Sequence, residues 1–222
     1  MTILKEHVSY SEVRQWKECP WRHKLLYIDK LSTFEESPHL HYGTIIHDAC
    51  EHYLKTKELK IEEAQSKIKA AWDEHGFDSE DFIQLQSQRA KIQGWKYKHN
   101  KLKDWLQWAE TSISSVPQFL DETFPKEEWI AEDSFCAPQG YGGKIDLYSK
   151  SGIFIDFKTK VNIKDKDPAK LVYDDHAMQL SAYAQGCEYD EPERVSIFVD
   201  REDPKFISCH VWDKDTHLKH LS

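Results

Sequence analysis

Several things are scarce in this 222-residue chain, and each scarcity excludes a class of protein. No apolar run is long enough to cross a membrane, and mean hydropathy is -0.74. The opening Met1-Thr2-Ile3-Leu4-Lys5-Glu6-His7 lacks the apolar core of a secretion signal, so the expectation is a soluble protein of the cytoplasm, bacterial or, if phage-encoded, of the host. Cysteine is sparse and scattered: five residues (19, 50, 136, 187, 209) with no Cys-x-x-Cys pair, which speaks against a disulfide framework or a zinc ribbon and for reduced thiols. No Gly-x-x-x-x-Gly-Lys-Ser/Thr phosphate loop occurs, so any motor acting with this chain, a helicase or a recombinase, would be a separate polypeptide. Positive charge is also short. Thirty Lys and Arg stand against 39 Asp and Glu, and a net charge of -9 excludes indiscriminate binding of a polyanion by the whole surface. Any such contact must be local.

What is present is organised around residues 142–160. Gly142-Gly143-Lys144-Ile145-Asp146-Leu147-Tyr148, a Ser-Lys-Ser-Gly break and Ile153-Phe154-Ile155-Asp156-Phe157-Lys158-Thr159-Lys160 read as a β-hairpin, two alternating strands separated by turn-forming residues. Alternation puts Ile145 and Leu147 on one face and Lys144, Asp146 and Tyr148 on the other. It likewise sets Asp156 and Lys158 side by side, roughly 6.6 Å apart along the strand, with Asp146 brought beside them by pairing. Two carboxylates suit a hard divalent ion such as Mg²⁺ or Mn²⁺ that shares its shell with a phosphate. A neighbouring lysine could orient a water, accept its proton or stabilise charge on phosphoryl oxygens. On the hairpin alone, ordinary solvated surface charges account for the pattern equally well.

The rest of the chain adds partners. Ser9 followed by Glu12 has capping-box spacing, predicting a helix from Tyr10 to about Cys19, and a second helix follows Pro20 to about Ile28. From Leu40 to Lys55 an amphipathic helix sets Gly43, His47, Cys50 and Leu54 on one row, with His47 either an edge-of-core histidine or an imidazole offered to a metal. A helix over 61–75 closes at Gly76, and a long helical region is predicted from Ser79 to Ser114, stopped by Pro117. Its middle, residues 89–103, has six basic residues and no acidic one. There Arg89, Lys91, Lys96, Lys98 and Lys101 with Trp95 and Tyr97 fit a DNA contact, the alternative being a solvated helix face with Trp95 in the core. Strands are predicted near 129–135, 194–200 and 206–212, and a helix over 174–186 puts Gln179 and Tyr183 one turn apart. After Asp213 the chain starts a helix and stops, as a short fraying end or a truncation would.

Taken together, Asp146, Asp156-Phe157-Lys158 and Gln179-x-x-x-Tyr183, preceded by Gly43-x-x-x-His47 and Cys19-Pro20, resemble the RecB-type branch of the PD-(D/E)XK nucleases, which includes Cas4-like and phage exonucleases. The resemblance implies an α/β fold with a restriction-endonuclease-like core, a central mixed sheet flanked by helices, in a single domain. Residues 1–117 would be its mostly helical part, forming an arch or channel, and 118–222 its sheet-containing catalytic core. It implies that His47, Asp146, Asp156 and the main-chain carbonyl of Phe157 bind Mg²⁺ or Mn²⁺, that Lys158 is the catalytic lysine, and that Gln179 and Tyr183 orient it and contact DNA. Glu132 falls where many relatives carry a glutamate. Some relatives hold a [4Fe–4S] cluster with one early and three late cysteines; here only Cys187 and Cys209 follow Tyr183, so no iron–sulfur cluster is expected.

The expected activity is metal-dependent exonucleolytic hydrolysis of DNA, preferring single strands or ends, in recombination, repair or phage DNA processing. A Cas4-like or structure-selective endonuclease that trims DNA ends is the neighbouring reading. A non-catalytic DNA-end-binding subunit is the reading from another class.

Overall fold

The computed structural model describes residues 7–31, 36–217 and 219. Its sheet runs β1 (Val8–Ser9), β3 (Tyr141–Ser149), β4 (Ile153–Lys160), β5 (Glu193–Asp200), β6 (Ile207–Val211), with β2 (Trp129–Cys136) on the other edge of β3. It is mixed: β1 with β3 and β4 with β5 are parallel, the remaining pairs antiparallel. Helices flank it: α1 (Tyr10–Glu18), α2 (Pro20–His23) continued by a π-helical turn, α3 (Pro38–Thr56), α4 (Ile61–His75), α5 (Glu80–Ile92), α6 (Leu102–Thr123) and α7 (Asp174–Gly186).

Local chemistry explains many of these ends. The Ser9 hydroxyl accepts from the Glu12 amide at 3.2 Å, capping α1, and the Cys19 sulfur caps α2 by accepting from the Arg22 amide at 3.4 Å. Gly76 closes α4 with φ +60°, the left-handed conformation that a side chain resists.

Two packed groups meet along α3 and α6. One half of each helix builds an all-helical core with α4, through Tyr42, Ile45, Ala49, Ile68, Trp72, Trp105, Ala109 and Ile113. The other half, through Cys50, Val116 and Leu120, lies on Leu147, Ile155, Val195 and Ile197 of the sheet. The opposite sheet face receives Leu180, Tyr183 and Ala184 of α7 against Ile145 and Phe154. A fully buried arginine holds that layer: Arg194 on β5 donates to the Ser181 hydroxyl of α7 (2.8 Å), the Asp213 carbonyl (2.6 Å) and the Thr216 hydroxyl (3.0 Å). Its charge is therefore buried with partners rather than alone.

Two sequence expectations about helices fail. The long helix of 79–114 is broken: α5 ends at Ile92, Gly94 adopts φ +76°, and residues 95–100 form an extended connection before α6. Nor does Pro117 stop the chain; it lies inside α6, which runs on to Thr123. An interior proline costs about 3 kcal/mol or more. Fully burying Val116 and Leu120 against the sheet contributes roughly 1.5–3 kcal/mol each, which offsets that cost.

The third failure shapes the site. Ile145 packs on α7 whereas Leu147, two residues on, packs on α3 and α6, so they do not share a face. The cause is pairing. β3 is laddered to β4 only at Leu147↔Ile155 and Tyr148↔Phe154; β1 takes the same edge of β3 at Tyr141 and Gly142, since β2 occupies the opposite one. Between those ladders β3 is released from a neighbour and turns.

Gly142 closes the β1 end of this opening. A Cβ there would lie 2.5 Å from the Phe135 carbonyl oxygen and 2.8 Å from the His7 ring. Gly142→Ala is expected to destabilise by about 1–3 kcal/mol, as over-packing does, lowering the thermal midpoint by roughly 2–4 °C per kcal/mol in a protein of this size. An unchanged melting curve would show that the edge yields.

Candidate active site

The opening between β3 and β4 is where the predicted carboxylates gather. Asp146 sits on the unladdered part of β3, and its Oδ2 accepts from the Phe157 amide of β4 at 3.0 Å, a side chain standing in for a ladder bond. The same oxygen lies 3.7 Å from Nε2 of His47 on α3. The His47 ring meets Phe157 edge-on at 6.0 Å between centroids. All four residues of the Gly43, His47, Cys50, Leu54 row line one cavity, so the helical row expected from the sequence is the wall that α3 presents.

Asp156 is 2 % exposed. Its Oδ1 accepts from the Lys158 ammonium at 2.8 Å, while its Oδ2 is buried with no hydrogen-bond partner among the described residues. Burial raises its pKa to about 6; Lys158 opposes that shift, Asp146 adds to it, and His47 opposes it more weakly. An ionised, half-satisfied buried carboxylate is costly unless a cation meets it. A divalent cation therefore fits the donor set of His47, Asp146 and Asp156.

On the other sheet face, Gln179 donates from Nε2 to the Tyr183 hydroxyl at 2.8 Å. Tyr183 is nearly buried against the sheet, and a Cβ on Gly143 would come within 3.0 Å of its ring, so the glycine lets α7 approach the opening. Glu132 lies in β2, and its side chain falls outside the described residues.

The cavity between α3 and the sheet has a volume of about 470 Å³. Beside His47 and Asp146 it is lined by three residues with useful chemistry: Lys144, His39 and Arg201. Arg201 was not singled out by the sequence. It follows β5 in a turn that Asp200 organises, the Asp200 carboxylate accepting from the amides of Ile163 (2.8 Å), Glu202 (3.0 Å) and Asp203 (3.2 Å). The half-buried guanidinium forms no hydrogen bond with a described side chain, and desolvation lowers its pKa. His39, also desolvated and beside Arg201, is pushed down to about 4 and is neutral at neutral pH. His176 was missed as well. It stands one turn before Gln179 on α7, and burial, then Lys158 and Lys160, bring it down to about 4. The i, i+3 spacing to Gln179 was a signal available in the sequence; for Arg201 the only signal was its place after the strand beside the Asp-x-Lys strand.

The basic stretch is not the helix face expected of it. Arg89 and Lys91 end α5, Lys101 precedes α6, and Trp95, Lys96, Tyr97 and Lys98 lie in the connection. Trp95 is 71 % exposed, so it is not a core residue. Lys98 reaches Glu202, next to Arg201, at 2.7 Å, and His99 is tied to Asp78 at 3.0 Å. The stretch thereby adjoins the cavity rim.

The sequence profile of the PD-(D/E)XK nuclease superfamily matches residues 7–206. The chain belongs to that superfamily. No curated protein matches it. Among solved structures it is similar to a protein of Eubacterium rectale classed by inference as an exonuclease, with a TM-score of 0.60 at 12 % identity, covering 97 % of this chain and 76 % of the other. LHK-Exo in complex with dAMP matches over 82 % of this chain and 85 % of its own at 11 % identity, with a TM-score of 0.36. The first likeness bears on the fold, which is the restriction-endonuclease-like α/β fold expected from the sequence. Superfamily membership makes the opening between β3 and β4, with its Asp146, Asp156 and Lys158, the candidate nuclease centre.

Proposed function

We propose that the protein is a Mg²⁺- or Mn²⁺-dependent deoxyribonuclease that shortens DNA from its ends, with a preference for single strands. The observation that carries this reading is Asp156: a buried carboxylate with one oxygen on a lysine and the other without a hydrogen-bond partner among the described residues, close to His47 and Asp146, which line a cavity. His47, Asp146, Asp156 and the Phe157 carbonyl would hold the ion, which when bound supplies polarisation of the scissile phosphate and a lowered pKa for the attacking water. Lys158, already aimed at Asp156, orients or deprotonates that water and steadies charge on the phosphate. Gln179 and Tyr183 hold the lysine side of the opening and meet the DNA near the cleaved bond. The DNA runs past residues 89–101, where Trp95 and Tyr97 stack bases and the lysines meet phosphates.

The mode of attack is tested with end-labelled linear and circular single strands. Progressive shortening of the linear strand with circles intact is expected; cleavage of circles, or a single cut at a fixed position, would replace the exonuclease reading with an end-trimming endonuclease. Separately, calorimetric titration should show Mg²⁺ or Mn²⁺ binding that His47→Ala weakens. DNA binding alone, with no cleavage in Mn²⁺, would instead mark an end-binding subunit.

Arg201 is assigned to the substrate: a desolvated guanidinium that forms no hydrogen bond with a described side chain, near Glu202 and Asp200 and lining one cavity with His47 and Asp146, suits a phosphate of the bound strand. Arg201→Ala is expected to raise KM by about 10-fold or more, the worth of one charge-assisted hydrogen bond of about 1.5–3 kcal/mol, with a smaller fall in kcat. An equal fall in kcat at constant KM would overturn this assignment.

A further inference from the structure

Away from the candidate centre lies a second group of donors. Glu36 precedes α3, His41 is on its first turn, and His75 is the last residue of α4. One ligand atom from each lies within 4.8 Å of the other two. The Glu36 carboxylate is 2.6 Å from Nε2 of His41. The two imidazoles face each other at 4.6 Å between centroids, both half-buried, and Phe77 backs both rings at 5.7 and 5.4 Å.

This group is distinct from the site containing His47. His41 precedes His47 by six residues on the same helix, which places them about 9 Å apart along its axis and roughly 120° apart around it. One histidine therefore looks toward α4 and the other toward the sheet. The chemistry differs too. Two carboxylates, one imidazole and a carbonyl suit a hard ion, whereas two imidazoles and one carboxylate are the donors of a borderline ion. The rings are already held by Phe77 and by their own segments, so ordering them adds little to the cost of binding.

We propose that Glu36, His41 and His75 form a second metal site that takes Zn²⁺ or a similar borderline divalent ion, with water completing a tetrahedron. The ion takes the place of the hydrogen bond between His41 and Glu36 and ties the segment before α3 to the end of α4. It acts as a staple on the helix that carries His47. That helix start has use for one: Ser37, at its N-cap, makes no side-chain capping bond.

The test is zinc titration of the full chain against a chromophoric chelator, in excess Mg²⁺ to occupy the hard site. The wild type is expected to bind one equivalent of Zn²⁺ that Mg²⁺ does not displace, and Co²⁺ in its place should give the visible absorption of a tetrahedral ion. His75→Ala should lose this equivalent and its absorption, while Asp156→Asn keeps both. Should His75→Ala fold poorly by circular dichroism, Glu36→Gln at an exposed position serves, with an expected weakening of at least 10-fold. Zinc binding unaltered in His75→Ala or Glu36→Gln overturns the proposal, as does its loss in Asp156→Asn, which would place the zinc in the candidate nuclease centre. Absence of a Mg²⁺-resistant equivalent in the wild type overturns it as well.

Discussion

Asp156→Asn is expected to abolish DNA cleavage and, in metal-free buffer, to make the protein more stable. Loss of cleavage should reach about 10³-fold or more, because several kcal/mol of transition-state charge stabilisation go with the ion. The gain in stability follows from burial. The folded-state pKa of Asp156 is raised to about 6, against 3.8 for the free side chain. A raised carboxyl favours the folded state fully below the unfolded pKa, and that contribution is lost as pH rises through the folded one. Above about pH 6 the fold therefore carries a buried charge at a cost of up to about 3 kcal/mol, at 1.36 kcal/mol per pH unit. Asparagine keeps the acceptor for Lys158 without the charge. Near pH 8 the variant should melt several degrees above the wild type, with the difference vanishing near pH 4. Added Mg²⁺ or Mn²⁺ should then raise the wild type and leave the variant unmoved. Melting temperatures that run parallel across this pH range would sink the account of Asp156.

Lys158→Met is expected to lower cleavage by about 10²–10⁴-fold, the usual contribution of a group that moves a proton in the transition state. The variant also removes the group that does most to hold Asp156 ionised. Asp156 is then pushed further up, protons compete more strongly for the carboxylate, and metal binding requires a higher pH. The two effects separate by measurement at about pH 9, where the metal-dependent rise in melting temperature should return while cleavage does not. Full recovery of cleavage together with metal binding would leave Lys158 only the task of keeping Asp156 charged.

The hairpin of 141–160 was legible because alternation, turn residues and β-branched side chains agree there, and so was α7, whose bounds match the sequence expectation. Residues 89–103 misled for the same reason they looked helical. Ile92, Trp95 and His99 have helical spacing, but Gly94 turns the chain, and Ile92 and Trp95 are left 85 % and 71 % exposed. Pro117 misled in the opposite sense. Its local penalty was readable, whereas the burial of its neighbours on the sheet depends on residues some 30 to 80 positions away.

By itself, the sequence singled out the candidate site residues and the elements that hold them: an acid on each hairpin strand, a lysine two residues after the second acid, a histidine on a helical row, and Gln179 and Tyr183 one turn apart. Those are properties of residue type and short-range spacing. How the acids meet was decided only in three dimensions. Flat alternation would set Asp146 on the face shared with Asp156 by pairing. Instead β3 parts from β4 beyond Leu147 because β1 takes its place, and Asp146 fills the opening by bonding the Phe157 amide. The desolvation of Asp156, the arrival of Arg201 at the cavity and the meeting of His41 with His75 have the same origin. Each depends on chain segments distant in sequence, and no local periodicity encodes which of them will touch.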